Sequence, residues 1–96
     1  MNNTITDEKL DDYLKITKEA LSVVEKSPKC KWRTKQAEDF FDLSKRYYSD
    51  ALHFKKQGEI VMAFTAVNYA HAFLDAGARI GLFKVFDSRL FMVDDK

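Results

Sequence analysis

A chain of 96 residues with one cysteine and one proline has room for a single domain (1–96), near the lower end of what folds without disulfides or metals. A formal net charge of +1 argues against a generalised nucleic-acid binder, which carries a strong basic excess, and leaves room only for a local basic patch. Cys30 alone can form no internal disulfide, and the scarcity of Gly and Pro points to an all-α chain rather than turn-rich β structure.

The first residues lack the positive charge and apolar run of a signal peptide. Thr4 and Thr6 precede Asp7 and Glu8, a capping residue followed by acids that suit a helix N-terminus. Leu10, Tyr13, Leu14, Thr17, Ala20, Leu21 and Val24 then recur at steps of three and four, which predicts an amphipathic helix over about 6–26. Ile16 and Val23 widen its apolar face, so it is expected to touch more than one neighbour. Ser27-Pro28 ends it, because the residue before proline is pushed out of the α region.

After a connection through Lys29–Arg33, Thr34 is the expected cap of a second helix over about 35–57, with Gly58 just beyond its end. A third helix follows at once, over about 59–80, with Gly81 as its stop. Its apolar run is interrupted by Thr65, Asn68 and His71 and is too short to span a bilayer, so the chain reads as cytoplasmic.

Small residues recur on the second helix at heptad spacing (Ala37, Ser44, Ala51, Gly58), fenced by Phe40, Tyr47 and Phe54 on one side and Phe41, Tyr48 and Leu52 on the other. On the third, Ala63, Ala66, Ala70, Gly77 and Gly81 share a narrow arc between Met62, Tyr69, Phe73 and Ile80 on one side and Val67 and Leu74 on the other. Small residues let two backbones approach closely while the flanking rings fill the grooves, so the two helices form a tight hairpin. The fold is read as an antiparallel three-helix bundle with a short apolar extension. That extension, Leu82 to Lys96, is too apolar to stay in water. It packs back as a short fourth helix from Asp87 onward, or it docks on another chain through Leu90, Phe91, Met92 and Val93. The wide apolar surface of the third helix favours self-association.

Two groups of residues stand out as candidate sites. Asn68, His71, Asp75 and Arg79 share one face of the third helix, where His71 and Asp75 at i,i+4 could act as an acid–base or metal-ligating pair. The plainer reading is a wet face or a polar network satisfying itself. Lys29, Lys31, Arg33 and Lys35 surround Trp32, a combination that can hold a phosphate or an RNA strand. The plainer reading there is a solvated loop with Trp32 tucked over the bundle end. Arg46 and His53 also stand at the Arg-x6-His spacing of some helical ribonucleases, without a second signature. No phosphate loop, nucleophile elbow, metal motif or cofactor motif is present, so no catalytic residue, metal or cofactor is assigned.

The stretch Tyr47-Tyr48-Ser49-Asp50-Ala51, then Phe54, Gly58 and Ala63-Phe64, and above all Tyr69-Ala70-His71-Ala72-Phe73-Leu74-Asp75-Ala76-Gly77, resembles the archaeal domain-of-unknown-function 357 family over about residues 37 to 84. The family pattern has Gly where this chain has Ala72. The resemblance implies a short cytoplasmic helical bundle and places Asp50, Tyr69, His71, Asp75 and Gly77 in its recognisable core. Some relatives are joined to a cytidylyltransferase-like domain, and the resemblance implies no assigned activity. The chain therefore reads as a non-enzymatic protein-interaction or self-association module. The alternatives are a nucleic-acid or nucleotide-associated accessory protein acting through the Trp32 loop, and a small hydrolytic or metal site at His71 and Asp75.

Overall fold

The computed structural model describes residues 5–93, and in it three antiparallel helices build the molecule: α1 (Asp7–Lys26), α2 (Thr34–Lys56) and α3 (Ile60–Arg79). A single 3₁₀ turn, Lys31–Arg33, precedes α2. Each helix lies within about one residue of its sequence expectation, because Thr6 starts α1, Ser27-Pro28 ends it, and glycines stop α2 and α3. Thr6 caps α1 by accepting a hydrogen bond from the Lys9 amide at 3.1 Å, and Asp7 and Glu8 follow in the first turn. The alternative cap, Thr4, lies outside the described residues.

Helices α2 and α3 both end on a glycine in the left-handed region, Gly58 at φ 78° and Gly81 at φ 80°. At each end the glycine amide bonds back to the third residue before it, Lys55 or Ala78, and the next amide, Glu59 or Leu82, bonds to the fifth, Phe54 or Gly77. Both glycines thus belong to turns and not to the small-residue ridges, which end one step short of them. A second correction concerns Thr34. It is the first helical residue, and its hydroxyl donates back to the carbonyls of Cys30 and Lys31 rather than capping α2.

The α2–α3 hairpin forms as its small residues require. Ala51 packs with Ala63 and Ala66, Ala37 with Leu74 and Ala78, and between them the buried Ser44 hydroxyl donates to the Ala70 carbonyl at 2.7 Å. A buried hydroxyl at the seam needs that acceptor, and an alanine-sized neighbour lets it come within reach. Gly77 has a different purpose from the ridge. Its missing Cβ leaves room for the ring of Phe83, whose Cε2 would lie 2.3 Å from a methyl there.

Helix α1 crosses one flank of the hairpin. Toward its N-terminal end, Leu10 and Leu14 pack with Ala51, Ala63, Ala66 and Val67. Toward its C-terminal end, Ala20 and Val24 join Ala37, Leu74 and Ala78, and half of this second cluster comes from beyond α3: Leu82, Phe83, Val85, Leu90 and Phe91. The apolar extension therefore folds back onto its own bundle. Among the described residues it makes no fourth helix; it is an irregular strap. Phe83 forms an isolated antiparallel bridge with Lys29, and the Lys84 amide donates to Pro28 at 2.9 Å. Backbone groups of the strap go to partners on the bundle rather than to a helical ladder, so those anchors decide its path. Among the described residues, no helix is long and apolar enough to cross a membrane.

Candidate functional site

The connection around Trp32 divides into structural and free groups. Lys29 Nζ donates to the carbonyls of Val24, Glu25 and Ser27 at 2.5–2.9 Å, closing the end of α1 where carbonyls lack helical partners. Arg33 reaches across the bundle end to the Ile80 carbonyl at 2.7 Å and does the same for α3. Two of the four cations are thus committed to helix ends, which leaves Lys31 and Lys35 exposed. Trp32 is 93% exposed, so its ring does not tuck over the bundle. Beside it, the Arg33 side chain first, and the Trp32 amide second, hold the Cys30 thiol below its ordinary value.

The stripe on α3 also divides. Asn68 is exposed and donates to the Phe64 carbonyl one turn back, and Arg79 is exposed at the helix end. His71 and Asp75 are half-buried beneath the strap. His71 Nε2 lies 2.6 Å from the Leu90 carbonyl, and Nδ1 lies 2.9 Å from the Thr17 hydroxyl on α1. A carbonyl oxygen can only accept, so the hydrogen is assigned to Nε2; in the neutral ring Nδ1 then accepts from Thr17. Asp75 Oδ1, 3.6 Å from Nε2, accepts the Met92 amide at 3.0 Å. Both ring nitrogens and the facing carboxylate oxygen are engaged with the protein itself. The arrangement clasps α1, α3 and the strap together, and it leaves the pair no free nitrogen for a metal or a proton transfer.

Sequence reasoning placed His71 and Asp75 together but missed their partners. Thr17, 1% exposed, was counted among apolar positions, and a hydroxyl there is the one signal that pointed to a buried polar contact. Glu19, which pairs with Arg89 of the strap, carried no signal at all. That pairing holds the Glu19 carboxyl below its usual range. Arg46 pairs with Asp42 at 2.8 Å on the surface, and His53 packs on its neighbour Phe54, so these two do not converge.

Two hollows flank the clasp. One, of about 340 Å³, lies between α1 and α3 among Tyr13, Ile16, Thr17, Asn68, His71 and Asp75. The other, of about 550 Å³, lies beside the strap among Asp75, Arg79, Ser88, Phe91, Met92 and Val93. They meet at Asp75. No group of three His, Cys, Asp or Glu among the described residues could hold a metal ion.

The flank of the hairpin opposite α1 carries a row of partly exposed aromatic rings. Phe40 meets Phe73 edge-on at 5.7 Å, Phe73 stacks with Tyr47 at 5.8 Å, and Tyr47 stacks with Tyr69 at 5.4 Å. Tyr69 is 55% exposed, and Met62 and Ile80, on the same flank of α3, are about half exposed. The α1 contacts Tyr13–Phe64 and Thr17–His71 lie on the other flank. The rings are legible in the sequence as groove fillers; that Tyr69 stays exposed at the end of their row is not.

The sequence profile of the family described as "Protein of unknown function (DUF357)" matches residues 12–83, which takes in all of α2 and α3 and most of α1. Neither a curated protein nor a solved structure matches the chain.

Proposed function

The chain belongs to the DUF357 family, whose description assigns no activity, and from that premise we propose that it is a non-enzymatic interaction module that self-associates through the aromatic flank of α2 and α3. The observation that carries the reading is the ladder Phe40–Phe73–Tyr47–Tyr69, a continuous run of ring contacts that starts half-buried at Phe40 and ends on exposed Tyr69, beside exposed Met62 and Ile80. Rings held by one another lose little freedom when a partner covers them, and interface centres are rich in Tyr and Phe for that reason. A second copy fits as the occupant because a net charge of +1 puts little repulsion between identical chains. Placement in an archaeal cytoplasm follows the resemblance of the sequence and belongs to the same proposal.

Light scattering on the full chain tests this reading, beside Tyr69→Glu and Met62→Lys. The expected result is a dimer or larger closed assembly that both substitutions dissociate while the thermal transition of the subunit survives. A chain that stays monomeric at hundreds of micromolar sinks the proposal.

A second reading rests on Trp32. An indole held out in water between Lys31 and Lys35 is a stacking platform for a nucleic-acid base, and the two free lysines can meet its phosphates. Trp32 is the only tryptophan, so its fluorescence reports directly. Quenching by single-stranded RNA that weakens steeply with salt and is lost in Lys31→Glu supports it; an unchanged spectrum removes it.

A further inference from the structure

The strap is held both by its apolar side chains and by its main chain. His71 Nε2 donates to the carbonyl of Leu90, and Asp75 accepts the amide of Met92, two residues on. Between these two bonds, the side chains of Leu90 and Phe91 enter the apolar cluster of Ala20, Val24, Leu74 and Ala78. A donor and an acceptor that read backbone, set beside pockets that take apolar side chains, are the elements by which proteins recognise extended peptides. The backbone pair fixes direction and register, and the pockets supply affinity.

We propose that the furrow between α1 and α3 is a peptide-docking groove, and that its partner is the strap of a second copy of this chain. Three observations carry this beyond a description of the folded tail. The first is the division of the sequence. Thr17, His71 and Asp75, which build the clasp, lie inside the stretch 12–83 matched by the family profile, whereas Leu90, Phe91 and Met92 lie outside it. The residues that build the groove lie in the matched stretch, and the segment that fills it at Leu90–Met92 follows that stretch.

The second observation is the way the strap is built. Within it, the Asp87 carbonyl and carboxylate collect the amides of Arg89, Leu90 and Phe91 in one local turn. Past the Lys84–Pro28 bond, the polar anchors to the bundle include the His71 and Asp75 bonds and the exposed Glu19–Arg89 pair. A turn that carries its own hydrogen bonds can leave the groove and enter another without refolding. Phe86, 57% exposed, sits just before this turn, where the chain can swing out.

The third observation is the room around the occupant. The hollows of about 340 Å³ and 550 Å³ extend the furrow along α3 on both sides of Asp75. An incoming segment therefore has a place to land before the resident one has left. Symmetric exchange repeats the same contacts twice and closes a dimer. This site is separate from the aromatic flank, so either can stand without the other.

The test is fluorescence anisotropy of a labelled synthetic peptide of residues 84–96 titrated with the full chain. The resident strap competes, so binding to the unmodified chain is weak; a chain whose groove is more often empty binds more tightly in proportion. Arg89→Glu places a carboxylate against Glu19 and opens the groove without touching the core. It is expected to bind the peptide about ten-fold more tightly than the unmodified chain does. A peptide carrying Leu90→Ala and Phe91→Ala is expected not to bind, and Asp75→Ala in the opened chain is expected to weaken binding. A second opened chain, with Leu90→Ala and Phe91→Ala in its own strap and its fold verified by circular dichroism, guards against failure of the first to open. No saturable binding to either opened chain overturns the proposal, as does binding indifferent to Leu90 and Phe91.

Discussion

Replacing Gly77 with Ala sets two well-defined effects against each other, and the structure decides which is larger. In a helix interior, alanine is favoured over glycine by about 1 kcal/mol. Against that, the new methyl carbon would stand 2.3, 2.7 and 3.0 Å from Cε2, Cδ2 and Cζ of Phe83. Carbon atoms in good contact lie about 3.5–4.0 Å apart, so the ring must withdraw by more than an ångström. It has nowhere to go: Phe83 is 1% exposed and packed among Leu74, Ala78 and Leu82, and its backbone is bridged to Lys29. Overpacking of this kind costs about 1–3 kcal/mol, and a shortfall at several atoms belongs in the upper half of that range. The net expectation is a loss of about 1–2 kcal/mol, or about 5–15 °C in Tm for a domain of this size. Urea denaturation of Gly77→Ala, Phe83→Leu and the double variant reads it. The smaller Leu should cost clearly less in the Gly77→Ala background than alone, because it makes the room the methyl needs. A Gly77→Ala chain as stable as the parent, or a cycle with no coupling, would refute the reasoning.

Other substitutions probe the clasp, the seam and the exposed tryptophan. His71→Ala leaves buried Thr17 and the Leu90 carbonyl without their partner, and should cost about 2–3 kcal/mol in denaturant. The same variant should speed hydrogen exchange at the Met92 and Val93 amides ahead of α2. Arg89 holds the Glu19 carboxyl below its ordinary value near 4.5, so the folded state binds this proton less readily than the unfolded one. Its contribution is therefore present above that value and fades as pH falls through the lower folded one; the difference in strap-amide protection between the parent and Glu19→Gln should shrink on acidification. Ser44→Val forces a methyl into the seam beside Ala70 and should lose about 1–3 kcal/mol by thermal melting, against about 1 kcal/mol or less for Ser44→Ala. Trp32→Ala, at a site 93% exposed, should leave stability within about 0.5 kcal/mol of the parent by the same melt.

Much of this fold is written along the chain because its instructions are local. Thr6 with two acids after it, Ser27 before Pro28, and Gly58 and Gly81 past the last apolar turns each act within a few residues, so the helix ends can be read without knowing the tertiary structure. The alternation of small and aromatic residues on α2 and α3 is local in the same sense, since helical spacing alone puts Ala37, Ser44 and Ala51 on one line and Ala63 and Ala70 on another. Grouping His71 with Asp75 also follows from spacing.

What those groups do follows from contacts between residues far apart in sequence, which no spacing rule contains. Lys29 and Arg33 look like free cations until the ends of α1 and α3 arrive beside them with unpaired carbonyls. His71 looks like a ligand or a base until Thr17, 54 residues earlier, and Leu90, 19 later, take both of its nitrogens. The strap was legible as apolar, yet its irregular path is fixed by the cluster it fills and by the side chains that hold its backbone, and not by any propensity of its own. Sequence alone determined which segments are helical and which faces pair; only the tertiary structure decided which polar groups are consumed and which apolar ones are left uncovered. Helix formation is governed by neighbours within a turn or two, whereas the fate of a polar group or a ring depends on whatever the fold brings against it.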